Sequence, residues 1–352
     1  MQKKIIALAI AAAFAAPAVA LADVTMYGSM DGGFRHQTND AASAGTTDSM
    51  QMGQYNTARF GMKGSDDLGD GMKANVVLET SLAPPGVGSN TAISGPQAVT
   101  SDFSSANPFG LLFDRQATIG LSGGWGSFDM GWNYTTSFKV IKSFDPFDYK
   151  YLGVAQAKTA DYTDRTGNLT YTGKFGDVTV LAEYDVTNAT KTTQPTTGAG
   201  RAVGVMYASG PINVGASYTA IESSVGSDTP VTHVSLGGGF KFGDGKVSVG
   251  YAKKATKTTA SDSTQADMWL GASYNVSSKI GATAAYYSRA SNTGAAGASD
   301  STSKVAMIGV TYNLSKATQL YLETDKTTTV AAAAGSPDVI TTGTSFGLST
   351  SF

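Results

Sequence analysis

The chain has 352 residues, with no cysteine, 25 basic and 27 acidic residues, and 42 glycines against 10 prolines. The lack of cysteine excludes a disulfide framework and a cysteine-ligated metal site. A net charge of −2 gives no reason to expect a nucleic-acid partner. Beyond the first residues, no run of about 18 apolar residues indicates a membrane-spanning helix.

The amino-terminal residues have the three-part layout of a secretory signal peptide. A basic pair at 3–4 precedes an apolar run at 5–14, and Ala20-Leu21-Ala22 is a small-residue cleavage site. The apolar run is too short for a span of roughly 20 residues. We therefore predict that residues 1–22 are removed and that 23–352 form one exported domain.

The rest of the chain alternates apolar and polar residues with a period of two. In the segment 178–186, for example, Val178, Val180 and Tyr184 fall on one face and Glu183 on the other. Successive side chains of a strand point to opposite faces, so each segment has one apolar face. Sixteen such segments are predicted, at 24–36, 56–65, 71–82, 113–123, 126–135, 166–175, 177–187, 201–209, 211–222, 232–242, 246–256, 266–276, 280–290, 304–314, 317–328 and 343–352.

The connections between these segments alternate between short and long. Turns such as 176–177 and 315–316 are short, whereas connections such as 37–55, 83–112 and 136–165 are long and polar. This alternation and an even strand number are typical of barrels that cross a bilayer, and sixteen strands enclose an aqueous channel. The predicted fold is all-β, a 16-stranded antiparallel transmembrane β-barrel.

Tyrosines recur at the ends of the apolar faces. A soluble β-sandwich is the alternative fold, but it gives no reason for this placement. A transmembrane barrel does, because an aromatic girdle lies where its wall meets the membrane interface. The girdle candidates are Tyr184, Tyr207, Tyr218, Tyr251, Tyr274, Tyr286 and Tyr312.

Several stretches resemble the trimeric general porins of Gram-negative bacteria, in particular the β-proteobacterial type. The opening segment 23–31 (DVTMYGSMD), the hairpin 58–74 (ARFGMKGSDDLGDGMKA) and the segment 113–121 (FDRQATIGL) are similar to that family, as is the terminal Phe352. The chain departs from the family at Trp132, where an arginine is common.

The resemblance implies passive diffusion of small hydrophilic solutes and ions through a water-filled channel in the outer membrane. It implies a homotrimer in contact with outer-membrane lipid and lipopolysaccharide, and recognition of Phe352 by the barrel-assembly machinery. It also implies a third loop that folds inward. No cofactor, metal ion or nucleic acid is expected.

Side-chain parity selects candidates for the lumen face of the first segments. Asp31, Arg35, Arg59, Lys73 and Glu79 alternate with apolar residues and are predicted to line the pore.

Arg115 shares the parity of Ala117 and Ile119 and is expected to point outward at the end of its strand. The third loop, 136 to about 165, carries Asp145 and Asp148 and ends at Arg165. Opposite the basic residues, these two carboxylates would create a transverse field at a constriction. The alternative is that they are solvated loop charges.

Three other functions compete with diffusion. His36 and His233 are the only histidines, with no third residue spaced for a catalytic triad or a metal site, which argues against an enzyme. A substrate-specific channel for sugars or organic anions is the main alternative, because Trp269, Tyr287 and Tyr321 have lumen parity. A binding or adhesion barrel without an open pore is the third possibility.

Overall fold

The computed structural model describes residues 24–41, 45–82, 113–151, 165–185, 200–222, 230–257, 262–294, 300–330 and 337–352. The predicted signal peptide, 1–22, lies outside these ranges. Among the described residues, no helix is long and apolar enough to cross a bilayer.

The described chain consists almost entirely of antiparallel strands, with a single helix, α1, at Thr136–Lys142. In chain order the strands are β1 Thr25–Asn39, β2 Thr46–Met52, β3 Arg59–Gly69, β4 Met72–Ser81, β5 Gln116–Gly123, β6 Gly126–Tyr134, β7 Arg165–Phe175, β8 Val178–Asp185, β9 Gly200–Ser209, β10 Ile212–Ile221, β11 Val231–Phe242, β12 Gly245–Thr256, β13 Ser263–Asn275, β14 Ile280–Asn292, β15 Ser301–Asn313, β16 Thr318–Val330 and β17 Val339–Ser351.

The sheet closes on itself between the first and the last strand. One edge of β1 pairs with β17, and Gly28 and Phe352 exchange backbone hydrogen bonds of 3.0 and 3.1 Å. The other edge of β1 pairs with β2 through its second half and with β3 through its first half. Since β2 and β3 occupy one position of the wall in succession, the seventeen described strands form a closed barrel of sixteen positions. The predicted fold class is confirmed.

The second predicted segment, 56–65, and the preceding connection, 37–55, were wrong in their bounds. β1 continues to Asn39, and the chain is back in the wall at Thr46. Residues 37–39 and 46–49 in these stretches are all polar. The apolar band of a transmembrane barrel is only about 25 Å tall, so a strand that extends past it needs no apolar face.

The two faces of the wall differ as the alternating pattern predicts. In β10, Ser217 and Thr219 are buried on the inner face, whereas Tyr218 between them is 47% exposed on the outer face. The same contrast recurs around the barrel, where large apolar side chains are exposed outward and polar ones are buried inward. Six of the seven predicted girdle tyrosines are exposed, and Tyr251 is half-buried.

Candidate functional site

The segment from Thr135 to Tyr151 follows β6 and packs against the inner face of the wall. The Thr135 hydroxyl caps α1 by accepting a hydrogen bond from the Phe138 N–H at 3.3 Å. Val140 and Ile141 on α1 are buried, and α1 contacts β9 and β10. We call Thr135–Tyr151 the inner segment.

The start of α1 is tied to β8 by a charged residue. The Glu183 carboxylate accepts a hydrogen bond from the Thr136 N–H, and negative charge is favourable at a helix amino terminus. Burial lowers the pKa of Lys139 on the same helix, while Glu183 and Asp129 oppose that shift.

Glycines on the inner face provide the space for the inner segment. A Cβ atom at Gly204 would lie 2.8 Å from a Thr136 methyl group, and one at Gly309 would lie 2.9 Å from the Tyr151 hydroxyl. A strand glycine allows another chain to approach closely. We call the set the glycine seat: Gly204, Gly215, Gly237, Gly271 and Gly309, on β9, β10, β11, β13 and β15. The sequence signal for the glycine seat is glycine at inward positions in the middle of strands. Side-chain parity alone did not identify these glycines.

Polar side chains of the wall bind the backbone of the inner segment. The Asn213 amide donates to the Ser143 carbonyl at 2.9 Å, and Lys246 donates to the same carbonyl at 3.3 Å. The Trp269 indole N–H donates to the Phe144 carbonyl at 3.3 Å. These bonds fix the turn after α1 against β10, β12 and β13.

The two acidic residues predicted at the constriction differ in accessibility. Asp145 is buried, and its carboxylate accepts the Tyr287 hydroxyl at 2.7 Å and the Tyr149 N–H at 2.6 Å. Asp148 is exposed and has a φ of +51°. Asp145 therefore serves as a fastening point, that is, it anchors the inner segment to Tyr287 of the wall. Asp148 carries the accessible charge.

The aromatic residues considered for a sugar slide are occupied by contacts inside the barrel. Trp269 stacks on Phe144 with ring centroids 5.8 Å apart. Trp269, Tyr287 and Tyr321 are each no more than 5% exposed. They do not form a row of open rings.

Residues 53–58, between β2 and β3, also contact the inner segment. The Tyr55 ring stacks on Tyr321 at 5.1 Å, and the Tyr55 carbonyl accepts the Tyr151 N–H at 2.6 Å. Asp31 accepts hydrogen bonds from the Tyr55 and Asn56 N–H groups and from the Tyr321 hydroxyl, at 3.1 to 3.3 Å. Asp31 is thus a buried anchor, on the face that parity predicts. Burial raises the pKa of the Tyr151 phenol.

Two guanidinium groups contact the single carboxylate of Glu79, and a third is linked to them through Tyr134. Arg115 pairs with Glu79 at 2.6 Å, and Arg59 lies 3.9 Å from it. Arg115 and Arg165 both donate to the Tyr134 hydroxyl, at 2.9 and 3.0 Å. We call Arg59, Glu79, Arg115 and Arg165 the arginine cluster.

The expectation that Arg115 points outward was wrong. Its strand, β5, begins at Gln116, so Arg115 precedes the regular alternation, and its side chain is buried against Glu79. Side chains alternate between the two faces of the wall only within the paired part of a strand.

Lys73 is not brought near Arg59. It is the second residue of β4, beside a short turn, whereas Arg59 pairs with the last residue of that strand, Ser81. At about 3.3 Å per residue, this places the two roughly 25 Å apart along the wall.

Arg35 forms a second charged group with acidic residues of β16. It lies 2.6 Å from Asp325 and 3.5 Å from Glu323, and all three side chains are at most 2% exposed. Its guanidinium also donates to the Ser345 hydroxyl at 2.9 Å. Here one basic group faces two carboxylates, so the balance of charge is opposite to that of the arginine cluster. Parity reasoning did not select Glu323 or Asp325, although the alternation in 317–328 includes both.

Comparison with known proteins gives consistent results. A family model described as Gram-negative porin matches residues 7–332. An outer membrane porin protein of Bordetella pertussis is 29% identical over 290 residues, covering 72% of this chain and 69% of that protein. The anion-selective porin from Comamonas acidovorans superimposes with a TM-score of 0.75 at 22% identity, over 94% of this chain and 99% of that one.

In-vitro folded OmpT of Vibrio cholerae, in its trimer form, superimposes with a TM-score of 0.63 at 16% identity, covering 92% of this chain and 99% of that chain. The likeness to both solved structures concerns the barrel fold. The family match extends over nearly the whole chain and agrees with the motifs in 23–31, 58–74 and 113–121. The chain belongs to the family of Gram-negative porins.

Proposed function

We propose that this outer-membrane porin is a general diffusion channel whose lumen is narrowed by the inner segment, acting as an inward-folded third loop. The observation that carries the proposal is the seating of Thr135–Tyr151 on the inner faces of strands on one side of a closed barrel. Packing, hydrogen bonds and the glycine seat all hold it there. Small hydrophilic solutes and ions would pass beside it without chemical change.

Polar groups line the proposed path of solutes past the inner segment. A cavity of about 230 Å³ lies between Asp148 and Lys150 on one side and Ser273, Asn275 and Thr283 on the other. Hydroxyl, amide and charged groups at this surface suit a hydrated lumen rather than a dry core. Selectivity would then follow from aperture and from fixed charges.

We propose that Arg59 and Asp148 contribute the charges that permeating ions meet. Arg59 and Arg115 both contact Glu79. Arg59 is the more exposed of the two, with 27% of its side chain accessible against 9% for Arg115. The Arg35 group is buried, so it acts mainly on the structure of the wall.

Conductance in planar bilayers tests this function. Purified full-length protein is expected to give large steps that rise linearly with salt concentration. Steps that saturate, or that one sugar or organic anion blocks at low concentration, would instead support a substrate-specific channel. Absence of conductance would contradict both readings.

The assembly of the chain is part of the proposal. We expect a homotrimer, as in the trimer form of OmpT, with the signal peptide removed before Asp23. Unboiled protein should migrate as a folded oligomer in gel electrophoresis, because a closed barrel has no free edge from which to unravel. Light scattering that gives a monomer mass would contradict the trimer, and amino-terminal sequencing tests Asp23.

A further inference from the structure

The mouth of the barrel on the side of the short turns contains a small polar cavity. It has a volume of about 150 Å³ and lies between the inner segment, residues 53–58 and the adjoining ends of β15, β16 and β17. Outer-membrane barrels have their short turns in the periplasm, so in this porin the cavity faces the periplasm. It is distinct from the cavity of about 230 Å³ beside Asp148, although Tyr55 and Lys150 line both.

A row of neutral hydrogen-bond donors forms one wall of this cavity. Asn313, Gln319 and Ser349 line it and are directly opposite one another on β15, β16 and β17. Residues in such register have Cβ atoms about 4.5–5.5 Å apart, so one small solute can contact neighbouring members of the row. Ser351 adds a further hydroxyl group.

Two lysines line the same cavity, and among the residues that the structure describes no carboxylate does. Lys150 belongs to the inner segment, and Lys316 lies in the short turn between β15 and β16. Neither lysine has an ion pair within the described ranges. The Lys150 ammonium group lies 5.4 Å from the centroid of the Tyr55 ring. Two ammonium groups around so small a space repel each other, and an anion between them relieves this repulsion.

Acceptor groups next to the cavity are engaged within the protein. Asp31 is opposite Ser349, but its carboxylate is 1% exposed and accepts hydrogen bonds from the N–H groups of Tyr55 and Asn56. The side-chain oxygen of Asn56 accepts a hydrogen bond from Arg59 at 2.9 Å. Asn56, which lines the cavity, therefore has its amide N–H groups left to donate. The chemistry of the cavity is that of a site for an anion.

We propose that this cavity binds one tetrahedral inorganic oxyanion, hydrogen phosphate or sulfate. Its volume has room for several water molecules and therefore for one small anion. Lys150 and Lys316 hold the ion by charge-assisted hydrogen bonds, and the donor row binds its remaining oxygens. An ion with several oxygens suits donors that surround it better than chloride does. The inference rests on the proposed function and deepens it, because it names a solute that binds at the periplasmic end of the path.

Phosphorus NMR spectroscopy of inorganic phosphate tests the site, because exchange with a large protein–detergent particle broadens the resonance. Purified full-length protein in chloride buffer should broaden it. Sulfate should reverse the broadening by competition, since none of the described residues lining the cavity offers a carboxylate that would accept a phosphate proton.

The double variant Lys150→Gln with Lys316→Gln should bind phosphate roughly tenfold more weakly, or worse, which is the loss expected for about one hydrogen bond to a charged group. Lys174→Gln is the matched control. Lys174 is exposed beside a short turn on the opposite side of the barrel, and this variant should bind phosphate as the parent does.

Gln319→Glu tests the site with both lysines in place. It introduces a carboxylate into the donor row with almost no change of size, and it should also weaken phosphate binding roughly tenfold or more. Gel migration of the unboiled variants shows that the barrel has folded in each case.

Three results would overturn the site: no broadening by the parent, phosphate binding by the double variant or Gln319→Glu as tight as that of the parent, or failure of sulfate to displace phosphate. Conductance in potassium chloride separates this inference from the proposed function. Loss of phosphate binding with linear chloride conductance refutes the oxyanion site alone, whereas absence of chloride conductance refutes the diffusion channel.

Discussion

The arginines of the arginine cluster differ in the electric field that they exert on a passing ion. Arg115 is held in a short, buried pair with Glu79, so its field is largely cancelled at the lumen. Among the described residues, the carboxylate paired with Arg59 is that of Glu79 at 3.9 Å, and the Arg59 guanidinium donates at 2.9 Å to the neutral Asn56 side chain. Since the Debye length is about 8 Å at physiological salt, a partly exposed charge of this kind acts across much of a narrow pore.

Arg59→Glu is therefore expected to move the reversal potential toward cation preference. Arg59→Lys retains the charge and should leave the reversal potential close to that of the parent. The measurement is the zero-current potential across a planar bilayer under a salt gradient. The difference should shrink between about 0.1 and 1 M salt, where the Debye length falls to roughly 3 Å. An unchanged potential for Arg59→Glu at low salt would remove Arg59 from the constriction.

Tyr287 is expected to matter for the order of the inner segment. Tyr287→Phe deletes the hydroxyl that donates to Asp145 and leaves a buried carboxylate oxygen one donor short, a loss of about 1–3 kcal/mol. The inner segment should then fluctuate more, which appears as excess noise in the open-channel current. Tyr286→Phe, its neighbour on the outer face, is the control. Equal noise in the two variants would contradict the role of Asp145 as a fastening point.

The position of the inner segment depends in part on the shape of its glycine seat. Phe144, Phe147 and Tyr151 occupy spaces that side chains on the wall would otherwise fill. Because a seat glycine has no Cβ, the inner segment can approach the wall closely. Dispersion attraction between the two is appreciable only at such short distances. The segment also contains positive φ angles at Asp148, Tyr149 and Tyr151, a strain that the surrounding contacts must offset.

A methyl group in the seat should displace this element. Gly309→Ala would place a Cβ within 3.1 Å of the Tyr151 and Phe147 side chains alone, so the wall itself should remain intact. The expected result is a changed single-channel conductance in a barrel that folds normally. Gly32→Ala is the matched control, because no atom of the described residues lies within 4 Å of a Cβ there. Identical conductance of the two variants would show that the seat does not position the segment.

At this scale the sequence predicted the wall better than the lumen. Alternation with a period of two repeats along every strand, so the span 246–256 was found within one residue of Gly245–Thr256. The strand β2 was missed because its only apolar residues are Met50 and Met52, at its end. The seating of the inner segment depends on residues far apart in the chain, such as Ser143 and Asn213, and local patterns contain no information on such pairs.

The barrel as a whole depends on the seam between β1 and β17. At the end of this seam the Phe352 backbone pairs with Gly28, and the Phe352 ring occupies the space where a Gly28 side chain would lie. The ring itself is 63% exposed on the outside. The last residue therefore contributes both to closure and to the apolar outer surface.

Deletion of Phe352 is expected to reduce the amount of protein inserted in the outer membrane sharply. The deletion removes two backbone hydrogen bonds at the seam and the terminal ring that the assembly machinery is proposed to recognise. Phe352→Tyr keeps both and should insert normally. Quantification of heat-modifiable protein in outer-membrane fractions checks this. Parental levels of the truncated chain would contradict the proposed assembly signal.

The contacts that hold the inner segment also imply an order of folding. Trp269 and Phe144 are 125 residues apart in the chain, and Asp31 and Tyr321 are 290 apart. Contacts between residues so far apart in the chain form slowly, because the chain loses the entropy of a long loop before the contact stabilises the fold. We expect the amide hydrogens of Ser143–Tyr151 to gain protection from exchange after those of the hairpins, once the two ends of the chain have met. A newly inserted barrel would thus conduct at its full width before its pore narrows.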